Sequence, residues 1–153
     1  MSRVARAARV ASRTRPEQIT AATTLSAADT GKLFLINYNA GATIEVTLPP
    51  VQDGAFFRFL TMNGSLAASS SQVDIVTADG AGTMKGTILC LDYAGSSADV
   101  EIATNKDDGT DTKISLIGNT IHVGTYVEIH CDGTNWYADG VAIASARTKA
   151  VFA

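Results

Sequence analysis

The chain has 153 residues, 46% hydrophobic and 18% charged, with two cysteines and a formal net charge of −3. That length suits one domain able to bury roughly two thirds of the surface its unfolded form exposes, and the composition excludes a wholly disordered chain and a disulfide scaffold. No apolar run reaches the roughly 20 residues that a membrane-spanning helix needs.

Charge is unevenly placed. The first 17 residues set Arg3, Arg6, Arg9, Arg13 and Arg15 against Glu17, a head of +4, while the remainder carries −7. An acidic body repels polyphosphate, so no direct nucleic-acid binding is expected, and the basic head suits an acidic partner. Steps of three and four would bring Arg3, Arg6, Arg9 and Arg13 onto one helical arc. Pro16 ends that pattern, and so short an isolated helix is marginal in water. Residues 1–20 are therefore expected to form a flexible arm that orders on a partner, if at all. Its Arg, Ala and Ser content is also that of a mitochondrial presequence. Beyond alanine, however, Val4 and Val10 make only a feeble apolar stripe.

Next along the chain, "SAADTGK" (26–32) reads as a single turn capped by Ser26 and ended by Gly31. From residue 32 short β-branched and aromatic runs alternate with Gly, Asn, Asp and Ser. Strands are expected at 32–38, 43–48, 56–62, 73–78, 86–93, 99–104, 112–117, 125–131, 134–139 and 141–145. Ile44, Val46 and Leu48 should face one way, with Thr43, Glu45 and Thr47 facing the other. No internal repeat is evident. "SLAASSSQ" (65–72) reads as a mobile surface loop and "DGAGTMKG" (79–86) as a loop between strands, since its glycines lack phosphate-loop spacing. The sum is an all-β fold: one jelly-roll or β-sandwich domain of about eight to ten antiparallel strands over residues 21–146, with residues 147–153 as a C-terminal tail.

Chemistry-bearing patterns are sparse. His122 and His130 lack the spacing of a zinc protease, and His130 should face outward from its strand. No nucleophile motif is present. Cys90 and Cys131 read as small strand hydrophobes with reduced thiols, as in a cytoplasmic product. Asp107, Asp108 and Asp111 around Gly109 lack the spacing of a calcium loop, and a polar turn explains them better. The sequon at Asn63 carries little weight without a signal peptide. No catalytic, cofactor or metal site is expected, and the chain is not read as an enzyme.

In "CDGTNWYADG" (131–140), Asp132 and Gly133 lie between two alternating runs, the signal of a two-residue hairpin. That register sets Cys131 opposite Thr134, His130 opposite Asn135 and Ile129 opposite Trp136. Trp136 then faces the core, and Tyr137, Asn135 and His130 face outward.

"LSAADTGKLFLIN" (25–37), "VTLPPVQDGAFFRFL" (46–60), "GTDTKISLIGN" (109–119) and "VGTYVEIHCDGTNWYADG" (123–140), in this order and spacing, resemble the head decoration, or cement, proteins of tailed bacteriophages over roughly residues 24–140. The resemblance implies a homotrimer on the outer capsid surface of the virion, assembled in the host cytoplasm. It also implies that the major capsid protein is the partner, clamped after the shell expands. No contact residue can be carried over from it. From the charge pattern, Arg3, Arg6, Arg9, Arg13 and Arg15 are the expected capsid contacts. The alternative is a carbohydrate- or host-receptor-binding module of a phage fibre, using an exposed Tyr137 or Tyr93 beside Asp or Asn.

Overall fold

A computed structural model describes residues 16–62, 66, 68, 70–78, 82–92, 99–104, 111–118, 121–144 and 150–152. The five arginines of the head, Asn63, Tyr93, Asp107 and Asp108 lie outside these.

Among the described residues twelve strands form two sheets: β1 (Glu17–Ile19), β2 (Thr23–Thr24), β3 (Leu33–Ile36), β4 (Thr43–Thr47), β5 (Phe56–Thr61), β6 (Gln72–Val76), β7 (Met84–Asp92), β8 (Asp99–Thr104), β9 (Lys113–Ile117), β10 (Tyr126–Cys131), β11 (Trp136–Ala144) and β12 (Ala150–Phe152). The larger sheet runs β1-β3-β5-β10-β11-β7-β8 and the smaller β12-β9-β6-β4-β2. The expected two-sheet, all-β architecture is present. One helical turn, Ala27–Asp29, follows Ser26; the Asp29 carboxylate accepts hydrogen bonds from the Ser26 N–H (2.8 Å) and hydroxyl (2.7 Å).

The expectation of antiparallel strands needs correction. The ladders β1–β3, β3–β5, β2–β4, β4–β6 and β7–β11 are parallel. The cause is the path of the first half: odd strands β1, β3 and β5 enter the larger sheet and even strands β2, β4 and β6 the smaller. Each turn of this flat coil lays a strand beside the one laid a turn earlier, in the same direction. A jelly roll, which is antiparallel, does not describe that half. Apart from the parallel β7–β11 ladder, the remaining strands close the sheets with antiparallel pairs, β10 filling the position between β5 and β11.

The boundaries shift as well. Residues 17–19, expected in the arm, form β1, where Ile19 is buried and Glu17 pairs with Lys32 at 3.0 Å. Residues 150–152, expected in the tail, form β12 on β9. Within the segment read as a mobile loop, Leu66 is fully buried, donates its N–H to the Tyr38 carbonyl at 2.7 Å and takes φ +55°. Burying a leucine, worth roughly 1.5–3 kcal/mol, offsets the roughly 1–2 kcal/mol cost of a left-handed backbone. β7 likewise starts at Met84, inside the segment read as a loop, because the fully buried Met84 belongs to the core.

Alternation builds that core. Phe34, Phe57, Phe59, Ile88, Val127, Ile129 and Trp136 of the larger sheet join Val46, Val73, Ile75, Ile114 and Leu116 of the smaller in one cluster. Phe34 stacks on Phe59 with ring centres 5.5 Å apart, and Phe57 meets Trp136 at 5.9 Å with a tilt of 51°.

Candidate binding face on the seven-stranded sheet

Because side chains alternate across a strand, the buried set leaves its complement on the outer face of the larger sheet, and strand register sorts that complement into rows. At the hairpin end, Phe56, His130, Tyr137 and Lys85 are successive partners across β5, β10, β11 and β7. The next row is Leu33, Arg58, Glu128, Asp139 and Thr87 on β3, β5, β10, β11 and β7. Beyond it lie Leu35, Leu60, Tyr126, Val141 and Leu89. Each of these five is partly exposed, as are Met62, Ile143 and Leu91 nearer the far end. An outer sheet face is ordinarily polar, so an uncharged band across five strands is a departure.

The aromatic row holds the hairpin residues. Cys131 pairs with Trp136, His130 with Tyr137 and Ile129 with Ala138, so the loop is Asp132–Asn135, four residues rather than the expected two. A two-residue type I′ turn needs positive φ at both central positions; Gly133 has it (+87°) and Asp132 does not. Asp132 works instead as an acceptor. Its Oδ1 takes the N–H of Thr134 (2.8 Å) and of Asn135 (2.7 Å), and its Oδ2 takes the Tyr137 hydroxyl (3.0 Å). The slip is two residues, which preserves the face of every side chain. Trp136 is fully buried, while Tyr137 is 41% exposed.

The two Asn135 and Thr134 N–H groups hold the Asp132 carboxyl below its usual range, aided by Tyr137, and the Asp132 carboxylate in turn raises the Tyr137 phenol. Asn135 accepts from the Thr83 hydroxyl at 2.8 Å, tying the loop to the approach to β7. His130 stacks on Phe56 at 4.6 Å. Beside this row Gly31, Lys32, Leu33, Phe56 and Arg58 line a pocket of about 200 Å³. That is below the 300–1,000 Å³ typical of small-molecule sites, and its cations are already engaged. Lys32 binds Glu17 and Asp29; Arg58 Nε meets Glu128 Oε1 at 3.0 Å, with the guanidinium 5.5 Å from the Tyr126 ring centre.

Cys90 and Cys131 are buried thiols on β7 and β10. Among the described residues no group of three or more His, Cys, Asp or Glu is placed to hold a metal ion, and no helix is long and apolar enough to cross a membrane. Asp74, only 4% exposed, is satisfied by Gln72 and Lys113. Sequence reasoning missed the ionic and aliphatic rows, although their outward residues could have been found by writing the less apolar half of each alternation side by side.

Comparison with models of protein families, with curated proteins and with solved structures found no match in any of the three.

Proposed function

We propose that this chain is a structural protein that decorates the outer surface of a phage head, binding the major capsid protein as a homotrimer and stabilising the expanded shell. The observation that carries the reading is the uncharged outer band of Leu35, Leu60, Tyr126, Val141 and Leu89, a surface suited to assembly rather than to chemistry. The motif order over residues 24–140 and the +4 head on a −7 body supply the choice of partner.

In this reading Arg3, Arg6, Arg9, Arg13 and Arg15 grip acidic capsid residues. The test is co-sedimentation of purified protein with expanded heads. Removal of residues 1–15, which stops short of β1, should leave assembly intact and abolish most attachment, and raised salt should weaken attachment of the full chain. Full occupancy by the truncated protein would refute the arm's role.

A second reading, glycan recognition by a fibre module, rests on Tyr137, whose exposed ring is held in place by its bond to Asp132. Glycan-array binding that Tyr137→Ala removes, without affinity for heads, would replace the first reading with this one.

A further inference from the structure

We infer that the outer face of the seven-stranded sheet is the contact between copies of this chain, packed about an axis running along β10, with Arg58 of one copy paired to Asp139 of the next. The inference deepens the reading above by locating the contact between subunits, and it rests on that reading only for the number of copies.

The argument is one of self-complementarity. β10 is the middle strand of the sheet, with β5 on one side and β11 on the other. At the level of the ionic row this puts Arg58 on one flank of Glu128 and Asp139 on the other. One row further, Leu60 and Val141 flank Tyr126 in the same way. Rotation about an axis parallel to β10 brings the β5 half of one face against the β11 half of the next. Leu60 then meets Val141, Leu35 approaches Leu89, and a cation meets an anion. A foreign partner would have to supply both complements; a second copy already has them.

The charges are poised for this. Arg58 uses Nε toward Glu128 and is 48% exposed, while the terminal N–H groups of a guanidinium form a further fork for a carboxylate. Asp139 is exposed and has no ion pair among the described residues. Glu128, nearest the axis, keeps Arg58 through Nε while Asp139 of the next copy meets the terminal N–H groups, so each guanidinium bridges two carboxylates. The aliphatic row is uncharged, which limits repulsion between chains of net charge −3.

The test uses the full chain, light scattering for mass and circular dichroism for the fold. Wild type should assemble, and Val141→Lys, on the outer face, should give folded monomers. Leu35→Lys in the same row serves if the first variant fails to fold. Arg58→Asp and Asp139→Arg should each raise the dissociation constant about tenfold or more, and the double reversal should restore most of the loss. A folded Val141→Lys or Leu35→Lys protein that stays assembled, or a double reversal no better than either single variant, overturns the inference. An assembled wild type that ignores phage heads would overturn the decoration reading and leave this contact standing.

Discussion

Trp136 shows what one side chain contributes. It is fully buried against Phe57, and its indole N–H has no acceptor among the described residues. Trp136→Ala should cost about 3–5 kcal/mol in urea unfolding. Trp136→Phe should cost distinctly less, because it also removes a donor whose unsatisfied burial costs roughly 1–3 kcal/mol. Gly86 is constrained by backbone: at φ +132° a Cβ would strike the Ala138 carbonyl on the neighbouring strand. Gly86→Ala should therefore lower stability by more than the roughly 1–3 kcal/mol of backbone strain alone, whereas Thr87→Ala, on the exposed face beside it, should change little.

Two carboxylates make the fold sensitive to acid. Lys32 chiefly, then Ser26, holds Asp29 at about 2 against an ordinary 3.8, and the turn amides lower Asp132. Folded values below unfolded ones mean that both contributions are complete above 3.8 and fade as pH falls through the folded values. Thermal melts from pH 5 to pH 2 should show wild type losing stability, with Asp29→Asn and Asp132→Asn losing less over the same interval. The inward face of Trp136 was legible in the alternation of 126–138. The turn was not, because aspartate serves equally as a positive-φ residue and as a hydrogen-bond acceptor, and only geometry separates the two.

At the scale of elements, ten runs rich in β-branched residues were legible as strands, the last two of them fused in β11. The parallel winding was hidden for a physical reason. Glu17 pairs with Phe34 and Leu33 with Arg58 in one sheet, Thr23 with Val46 and Thr43 with Gln72 in the other, so successive turns advance by 17, 25, 23 and 29 residues. A coil with unequal turns has no fixed period to detect. β1, β2 and β12 escaped notice because two or three residues are too few to display alternation. Their anchoring is nevertheless specific: Ile19, 1% exposed, fixes β1. Ile19→Ala should cost about 2–5 kcal/mol in chemical unfolding, while removal of residues 1–15 should leave the midpoint close to wild type.

For the whole molecule, the two sheets resolve into different tasks. The smaller sheet joins the larger around the core, and the larger turns an ordered sequence of aromatic, ionic and aliphatic rows outward. None of those rows exists along the chain; each is made by register between strands up to 106 residues apart, as from Leu33 to Asp139, which is why composition and motif reading could not reach them. If the face closes on further copies, the partly exposed leucines become interior and the assembly gains stability that no single chain has. The mass of the intact protein in solution tests this most directly. Light scattering across a wide concentration range should give three times the 15.9 kDa of one chain, and a value of 15.9 kDa at every concentration would contradict the account.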